Sequence, residues 1–181
     1  LERCRRRGFA LERIGINISP RQFQREGFCE EFLAAIDRVG ARHCDFEIEV
    51  TESVLMHDVR SVIRDLQSLR DAGVTVALDD FGTGYSSLNM LRELPLDVIK
   101  IDRSFVAPIA ESAQARDLLG RIIEIIRSLE LGSVAEGVET EREMQILTAK
   151  HCDAVQGFLF SPALPVDGFL EYLEQRAARS A

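Results

Sequence analysis

The sequence predicts an α/β chain wound around a parallel sheet in the manner of a (β/α)₈ barrel, and three observations carry that expectation. Apolar strand-like runs alternate with helical patterns along the whole length. Right-handed crossovers between successive strands put every carboxyl end on one side of the sheet. Polar residues stand at those ends, one group per strand: Asn17, Glu49, Asp79 with Asp80, Lys100, Glu136 and Gln156. A barrel assembles a site from separate strands in this way. With 181 residues, 46% of them hydrophobic, the chain is expected to form one domain over residues 1–181 with a sizeable core.

The elements follow in order. Leu1 to Arg7 reads as a helix end closed by Gly8, and Arg13 to Ser19 alternates like a strand before Pro20. Phe28, Phe32, Leu33, Ile36 and Val39 keep helical spacing up to a stop at Gly40. A second strand covers Asp45 to Glu52, where Asp45 and Glu47 precede the strand end and are expected as surface or bottom-face charges. The helix after it shows Val59, Val62, Ile63, Leu66 and Leu69 on one face and ends at Gly73. A third strand ends on Asp79-Asp80, a short helix passes through Leu88 and Leu91, and Leu96 to Asp102 form the fourth strand. After a loop with Pro108 come a long apolar helix over Ala113 to Leu129, a strand and turn over Leu131 to Glu139, and a helix over Glu141 to Lys150. Ala154 to Leu159 make the last strand, and Asp167 to Ala178 a final helix with Phe169, Leu170, Tyr172 and Leu173 facing in.

Charge and cysteine usage narrow the function. With 22 basic against 30 acidic residues the net charge is -8, which argues against gripping long nucleic acid by phosphate neutralisation. An anionic substrate would need bound cations to enter. Cys4, Cys29, Cys44 and Cys152 form no CxxC pair and read as reduced thiols of a cytoplasmic protein, whose parent polypeptide is free to be membrane-tethered. No apolar run approaches the roughly 20 residues that span a bilayer, and the start lacks the apolar core of a signal peptide. His43-Cys44 and His151-Cys152 lack a second ligand pair at zinc spacing. The run Arg3, Arg5, Arg6, Arg7 reads as a solvated helix face.

Chemistry concentrates in the stretch from Val76 to Ser87, where an apolar strand delivers Asp79 and Asp80 and then turns through Gly82 and Gly84. Neighbours on a strand face opposite sides, so both carboxylates converge only if the chain bends, as Phe81-Gly82 allows. The competing reading is an Asp-Asp pair that caps a helix starting near Ser86. Glu49, Asp79, Asp80 and Glu136 with the amide of Asn17 make a donor set for hard Mg²⁺ or Mn²⁺. Two such ions about 4 Å apart hold a phosphodiester and acidify a water. Lys100 adds a cation for the attacking water or the developing phosphate charge, or else pairs with Asp102.

The motifs Asn17-Ile18-Ser19, Glu49-Val50-Thr51-Glu52, Asp79-Asp80-Phe81-Gly82-Thr83-Gly84, Lys100-Ile101-Asp102, Val134 to Thr140 and Gln156-Gly157 resemble the EAL domain family of bacterial cyclic di-GMP phosphodiesterases over essentially the whole chain. The resemblance implies a TIM-type barrel that hydrolyses cyclic di-GMP to linear pGpG with two Mg²⁺ or Mn²⁺ ions. It makes Asn17, Glu49, Asp79, Asp80 and Glu136 metal ligands, with Glu136 also part of the catalytic group, and Lys100 the catalytic lysine. Gln156 lines the water and phosphate region, Asp80, Lys100 and Gln156 face the substrate, and Asp102 and Glu139 stand behind the ligands. Glu52 is implied to hold the Asp80-to-Leu91 loop in its active form; read from the residues alone it is a charge at a helix N-terminus. A homodimer and upstream sensory or cyclase domains are the expected partners beside cyclic di-GMP.

Two departures from the family pattern stand out. After Phe160-Ser161 the family usually shows a basic or variable residue and then proline, and Pro162-Ala163 shift that pattern here. The family's Glu-Ala-Leu motif and the strand before it belong upstream of Leu1, so six strands are expected where a closed barrel has eight, in a fragment of a longer polypeptide. Glu2 and Glu12 lie on the opposite face and do not replace the missing glutamate. By itself the chain is expected to be a poor phosphodiesterase, with about 60 upstream residues restoring activity. The alternative function is a cyclic di-GMP receptor that binds without hydrolysis, which would not require the full ligand set. An enolase-type metal enzyme fits the carboxylates but not the joint motifs.

Overall fold

The computed structural model describes residues 1–56, 59–82, 84 and 88–180. The expected helix start near Ser86, and Thr83, Tyr85, Ser86 and Ser87 of the central motif, lie outside the described residues. Among the described residues six strands run β1 Ile14–Ile18, β2 Phe46–Thr51, β3 Thr75–Phe81, β4 Val98–Ile101, β5 Gly132–Ala135 and β6 Ala154–Val155. They pair in chain order, each parallel to the next. The sheet curls as half of a barrel of the TIM type, with β1 and β6 at its two edges.

Among the described residues nine α-helices accompany it: α1 Glu2–Arg6, α2 Pro20–Phe23, α3 Phe28–Arg38, α4 Val59–Asp71, α5 Leu88–Glu93, α6 Arg103–Val106, α7 Ala113–Ser128, α8 Glu141–Ala149 and α9 Val166–Ser180. The long helices match the periodicity of the sequence to within two residues. Short turns were not expected: Ser19 caps α2 in a capping box with Gln22, and Pro108 sits in a 3₁₀ turn over Ala107–Ala110 rather than in a loop. The last strand is the clearest correction. It covers only Ala154–Val155; beyond it the chain still bonds the segment after β5, with Val138 N–H donating to Gln156 O and Leu159 N–H to Val138 O at 3.0 Å each, and Gly157 leaves no room for a side chain against the Val138 backbone.

Alternation decides what each face of the sheet does. Ile48, Val50, Val76, Leu78, Ile99 and Ile101 are fully buried in one core with Leu66 and Leu69 of α4 and Leu119, Ile123 and Ile126 of α7. Each such side chain contributes about 1.5–3 kcal/mol. The other face carries the polar positions. Asp45, expected as a surface or bottom-face charge, is at the bottom but wholly buried. Its carboxylate meets Arg5 at 2.6 Å and Arg42 at 2.7 Å. Glu47 is half-buried on the sheet, 3.5 Å from Arg13.

Candidate active site

In-register neighbours share a face. Asn17 pairs with Glu49, Thr51 with Asp79 and Lys100 with Val134, and Glu136 follows Val134 by two residues. Asn17, Glu49, Asp79, Lys100 and Glu136 therefore stand together at the carboxyl end of the sheet, as the sequence led us to expect. Asn17, on the edge strand, is exposed.

Lys100 is the hub. Its Nζ lies 2.6 Å from Glu49 Oε2, 2.7 Å from Glu136 Oε1 and 3.5 Å from Asp79 Oδ1, and the residue is 4% exposed. Burial works to lower the pKa of this ammonium, but its hydrogen bonds to Glu136 and Glu49 outweigh burial and raise it. The pairing of Lys100 with Asp102 is not found. Asp102 instead caps α6, accepting the N–H of Ser104 at 2.9 Å, and that bond holds its carboxyl below the usual range.

The bend that brings Asp79 and Asp80 together lies inside the pair rather than at Phe81-Gly82. β3 continues through Phe81, its register against β4 shifts between Leu78 and Phe81, and Asp80 takes a left-handed φ of 53°. That conformation costs a non-glycine residue about 1–2 kcal/mol, and it turns two consecutive carboxylates toward one place. Oxygens of Asp79, Asp80 and Glu136 lie within 4.8 Å of one another. Asp79 Oδ1 accepts the N–H of Asp80 at 3.0 Å and faces Lys100 at 3.5 Å; the cap of a helix near Ser86 falls outside the described residues. Hard oxygen donors at this spacing fit Mg²⁺, Mn²⁺ or Ca²⁺.

The cluster has more acid than base. Burial raises the pKa of Glu136, and the charges of Asp79 and Glu49 add to it against the Lys100 bond. Burial likewise raises Asp80, with Asp79 and Asp102 adding to it. The lysine is drawn on by three carboxylates at once, while those carboxylates share a single ammonium.

Supporting residues complete the floor. Glu52 Oε1 accepts the N–H of Gly82 at 3.2 Å, and its carboxylate fills the space beside Gly84. Gly82 has φ 98° and Phe105 packs where a Cβ would be. Glu139 pairs with Arg103 at 2.8 Å. Gln156 is exposed; its backbone ties to Ala135 O at 2.8 Å and to Val138 N at 3.0 Å, placing it beside the Glu136 turn.

Two residues escaped the sequence reading. Glu143, 6% exposed, accepts the N–H groups of Glu139 and Thr140 at 2.8 and 2.9 Å and so braces the turn that follows Glu136. Its signal was present, since Thr140-x-x-Glu143 is a capping box. Gly15 leaves the room that the Glu49 carboxylate occupies: a Cβ there would collide with Glu49 Oε1. Nothing in the local sequence announces that contact, which exists only once β1 and β2 are paired.

A half-barrel of parallel strands with a buried lysine in a ring of carboxylates defines an α/β domain with an acidic centre suited to divalent cations. The family model for the EAL domain matches residues 1–163, and the chain belongs to the EAL domain family. It is 42% identical over 161 residues to the cyclic di-GMP phosphodiesterase NbdA of Pseudomonas aeruginosa, covering 89% of this chain and 21% of that protein. Among solved structures, the EAL domain of Mycobacterium smegmatis DcpA superposes with a TM-score of 0.89 at 37% identity, covering 96% of this chain and 78% of that one. Klebsiella pneumoniae BlrP1, solved with manganese and cy-diGMP, gives 0.76 at 32% identity over 83% of this chain and 38% of its own. The chain spans about a fifth of the length of the curated relatives it matches. No helix among the described residues is long and apolar enough to cross a membrane.

Proposed function

We propose that residues 1–181 belong to a cyclic di-GMP phosphodiesterase domain that forms linear pGpG with two Mg²⁺ or Mn²⁺ ions, held by Asn17, Glu49, Asp79, Asp80 and Glu136. The observation that carries this reading is the convergence of Asp79, Asp80 and Glu136 oxygens within 4.8 Å beside a lysine too outnumbered to neutralise them. The similarity to NbdA and to a structure holding manganese and cy-diGMP supports it.

When bound, the ions supply Lewis-acid polarisation of the phosphate and a more acidic water. The chain's own residues position the rest. Water adds to phosphorus, the P–O3′ bond breaks, and the product keeps a 5′-phosphate and a free 3′-hydroxyl. Lys100 sits where it meets the attacking water or the charge gathering on phosphate. Asp80 and Gln156 face the substrate, Glu52 holds the loop after β3, and Asp102 and Glu139 act from behind. Pro162-Ala163 stand where the family pattern has a basic or variable residue followed by proline, and no substrate contact is assigned to them. A homodimer, upstream sensory or cyclase domains and a cytoplasmic location complete the proposal.

Incubation of a polypeptide carrying this domain with cyclic di-GMP and Mn²⁺, followed by separation of products, tests the reading. Release of pGpG is expected. Binding of cyclic di-GMP without pGpG would make the domain a receptor instead.

A further inference from the structure

Asp79 and Asp80 stand at the end of β3 and Glu136 directly follows β5, with β4 lying between them in the sheet. Two strand spacings amount to about 9–10 Å, yet oxygens of the three residues lie within 4.8 Å of one another. The carboxylates therefore reach toward each other across the end of β4. The element that starts there is α6, capped by Asp102 two residues after Lys100 and anchored by Val106, which is fully buried.

α6 meets both carboxylate-bearing segments, each at a glycine. Gly82, two residues after Asp80, has φ 98°, and the ring of Phe105 fills the space that a Cβ would need. Gly137, next after Glu136, has φ 69°, and there the aliphatic stem of Arg103 fills that space. A left-handed backbone pressed this close to a neighbour suits glycine. Arg103 adds a charged contact on its side, pairing with Glu139 at 2.8 Å, and the N–H of Glu136 donates to Ile101 O at 3.0 Å. Arg103 and Phe105 are two residues apart on one turn of helix. The two segments that bring Asp79, Asp80 and Glu136 together thus rest on the same small body.

We propose that α6 is the spacer of the ring: Arg103 and Phe105 are positioning residues that seat the Glu136 turn and the turn after Asp79-Asp80 against one helix, and the Asp102 cap keeps that helix in place. This rests on the reading of the ring as a metal centre. It adds what sets the distance between the carboxylates before any ion arrives, and it gives Asp102 and Glu139 a shared role, since both act through α6.

Metal binding tests it without reference to turnover. Mn²⁺ is titrated into a polypeptide carrying this domain while free Mn²⁺ is counted by electron paramagnetic resonance, and the binding lost in Asp79→Asn is assigned to the ring. Arg103→Ala should weaken that binding about tenfold with little change in metal-free melting, because the side chain is 59% exposed. The sign is informative. Loss of a cation near an acidic ring strengthens its attraction for Mn²⁺, so weaker binding reports geometry rather than charge. Arg103→Lys keeps both stem and charge and should bind as wild type does. Unchanged or tighter binding by Arg103→Ala overturns the proposal.

Asp102 gives a second comparison at constant charge. Asp102→Asn and Asp102→Ala both lose the carboxylate, but asparagine caps a helix well and alanine does not. Ring-assigned Mn²⁺ binding should be weaker in Asp102→Ala, and equal binding by the two overturns the role of α6. If Asp102→Ala does not fold, the Arg103 variants decide. Leu66→Ala, in the core of α4, should lower the melting temperature and leave the Mn²⁺ affinity of the folded chain unchanged. A loss of affinity there as large as in Arg103→Ala would reduce Arg103 to a stability effect and overturn the proposal. Absence of Mn²⁺ binding in wild type would bring down the metal reading, and this inference with it.

Discussion

Two carboxylate centres sit at opposite ends of the sheet, one wholly buried and one that runs from buried Glu49 and Asp79 out to exposed Asp80, and they place charge in opposite ways. At the bottom, Asp45 is wholly buried but meets two guanidinium groups, Arg5 and Arg42, and accepts the backbone N–H of Arg42 at 3.2 Å. Its hydrogen bonds with Arg42 and Arg5 hold its pKa far below the usual carboxylate range. At the carboxyl end, Glu49, Asp79, Asp80 and Glu136 gather around one lysine, and Glu136 and Asp80 titrate high. The bottom centre is satisfied by the chain; the upper one is left wanting positive charge. A buried charge that is fully paired within the fold reads as structural, and one deliberately under-paired reads as a place for a ligand.

The comparison breaks most visibly if Asp79 is not needed. In a polypeptide that carries this domain and cleaves cyclic di-GMP, Asp79→Asn should lower pGpG release by more than about 100-fold, since even residues behind metal ligands cost about 10–100-fold. Thermal melting without metal should change little or rise. Near-normal release at saturating Mn²⁺ would place Asp79 with the structural charges.

Exchange of the ion comes next in size. Ca²⁺ should permit cyclic di-GMP binding but support little hydrolysis, because its longer and looser coordination misplaces the attacking water; BlrP1 has been solved with calcium and cy-diGMP. Equal turnover with Ca²⁺ and Mg²⁺, measured by product separation, would contradict the geometry proposed for the ring. Glu52→Gln keeps the size of the side chain but weakens its bond to Gly82. Turnover should fall by about 10–100-fold with melting temperature nearly constant, whereas an equal loss of stability would make Glu52 a plain structural cap.

The bottom centre should answer in stability alone. Asp45→Asn leaves Arg5 and Arg42 without their anion and should lower the melting temperature by about 5 °C while Mn²⁺ affinity, read by titration, stays unchanged. The smallest effects are in the pH dependence, and there the two ends have opposite signs. The folded pKa of Asp45 is depressed, so its contribution is present above the ordinary carboxylate pKa of about 4 and is lost as pH falls further, toward the folded value. Wild type and Asp45→Asn should therefore converge in acid. Glu136 is raised, so its ionisation costs the metal-free fold stability as pH rises through the folded pKa. Glu136→Gln should gain relative to wild type at neutral pH and lose that gain on acidification; parallel pH profiles for the two variants would erase the distinction.

Much of this was legible in the chain. Alternation and helical spacing placed the six strands and the long helices because half of each element faces a core, and that requirement writes a period into the sequence. The polar residue at each strand end located the ring for the same reason: a parallel sheet with right-handed crossovers leaves its carboxyl ends together. The capping box at Thr140 and Glu143 was also there to be read. Local pattern was weaker where distant contacts decide. Asp45 looks like any charge before a strand until Arg5, forty residues away, folds over it, and the need for glycine at position 157 shows only once its backbone lies against that of Val138.

Residue types and their order along the chain determined that carboxylates and one lysine would meet at one end of a parallel sheet. Only the tertiary structure decided how they meet. The bend between Asp79 and Asp80 depends on a register shift against β4, the pairing of Lys100 with Glu49 and Glu136 rather than Asp102 depends on which way α6 needs its cap, and the seat of Glu49 depends on Gly15 across the β1–β2 ladder. Each is a contact between residues remote in sequence, settled by the competition among several partners for one charge, and a competition of that kind leaves no period in the sequence to read.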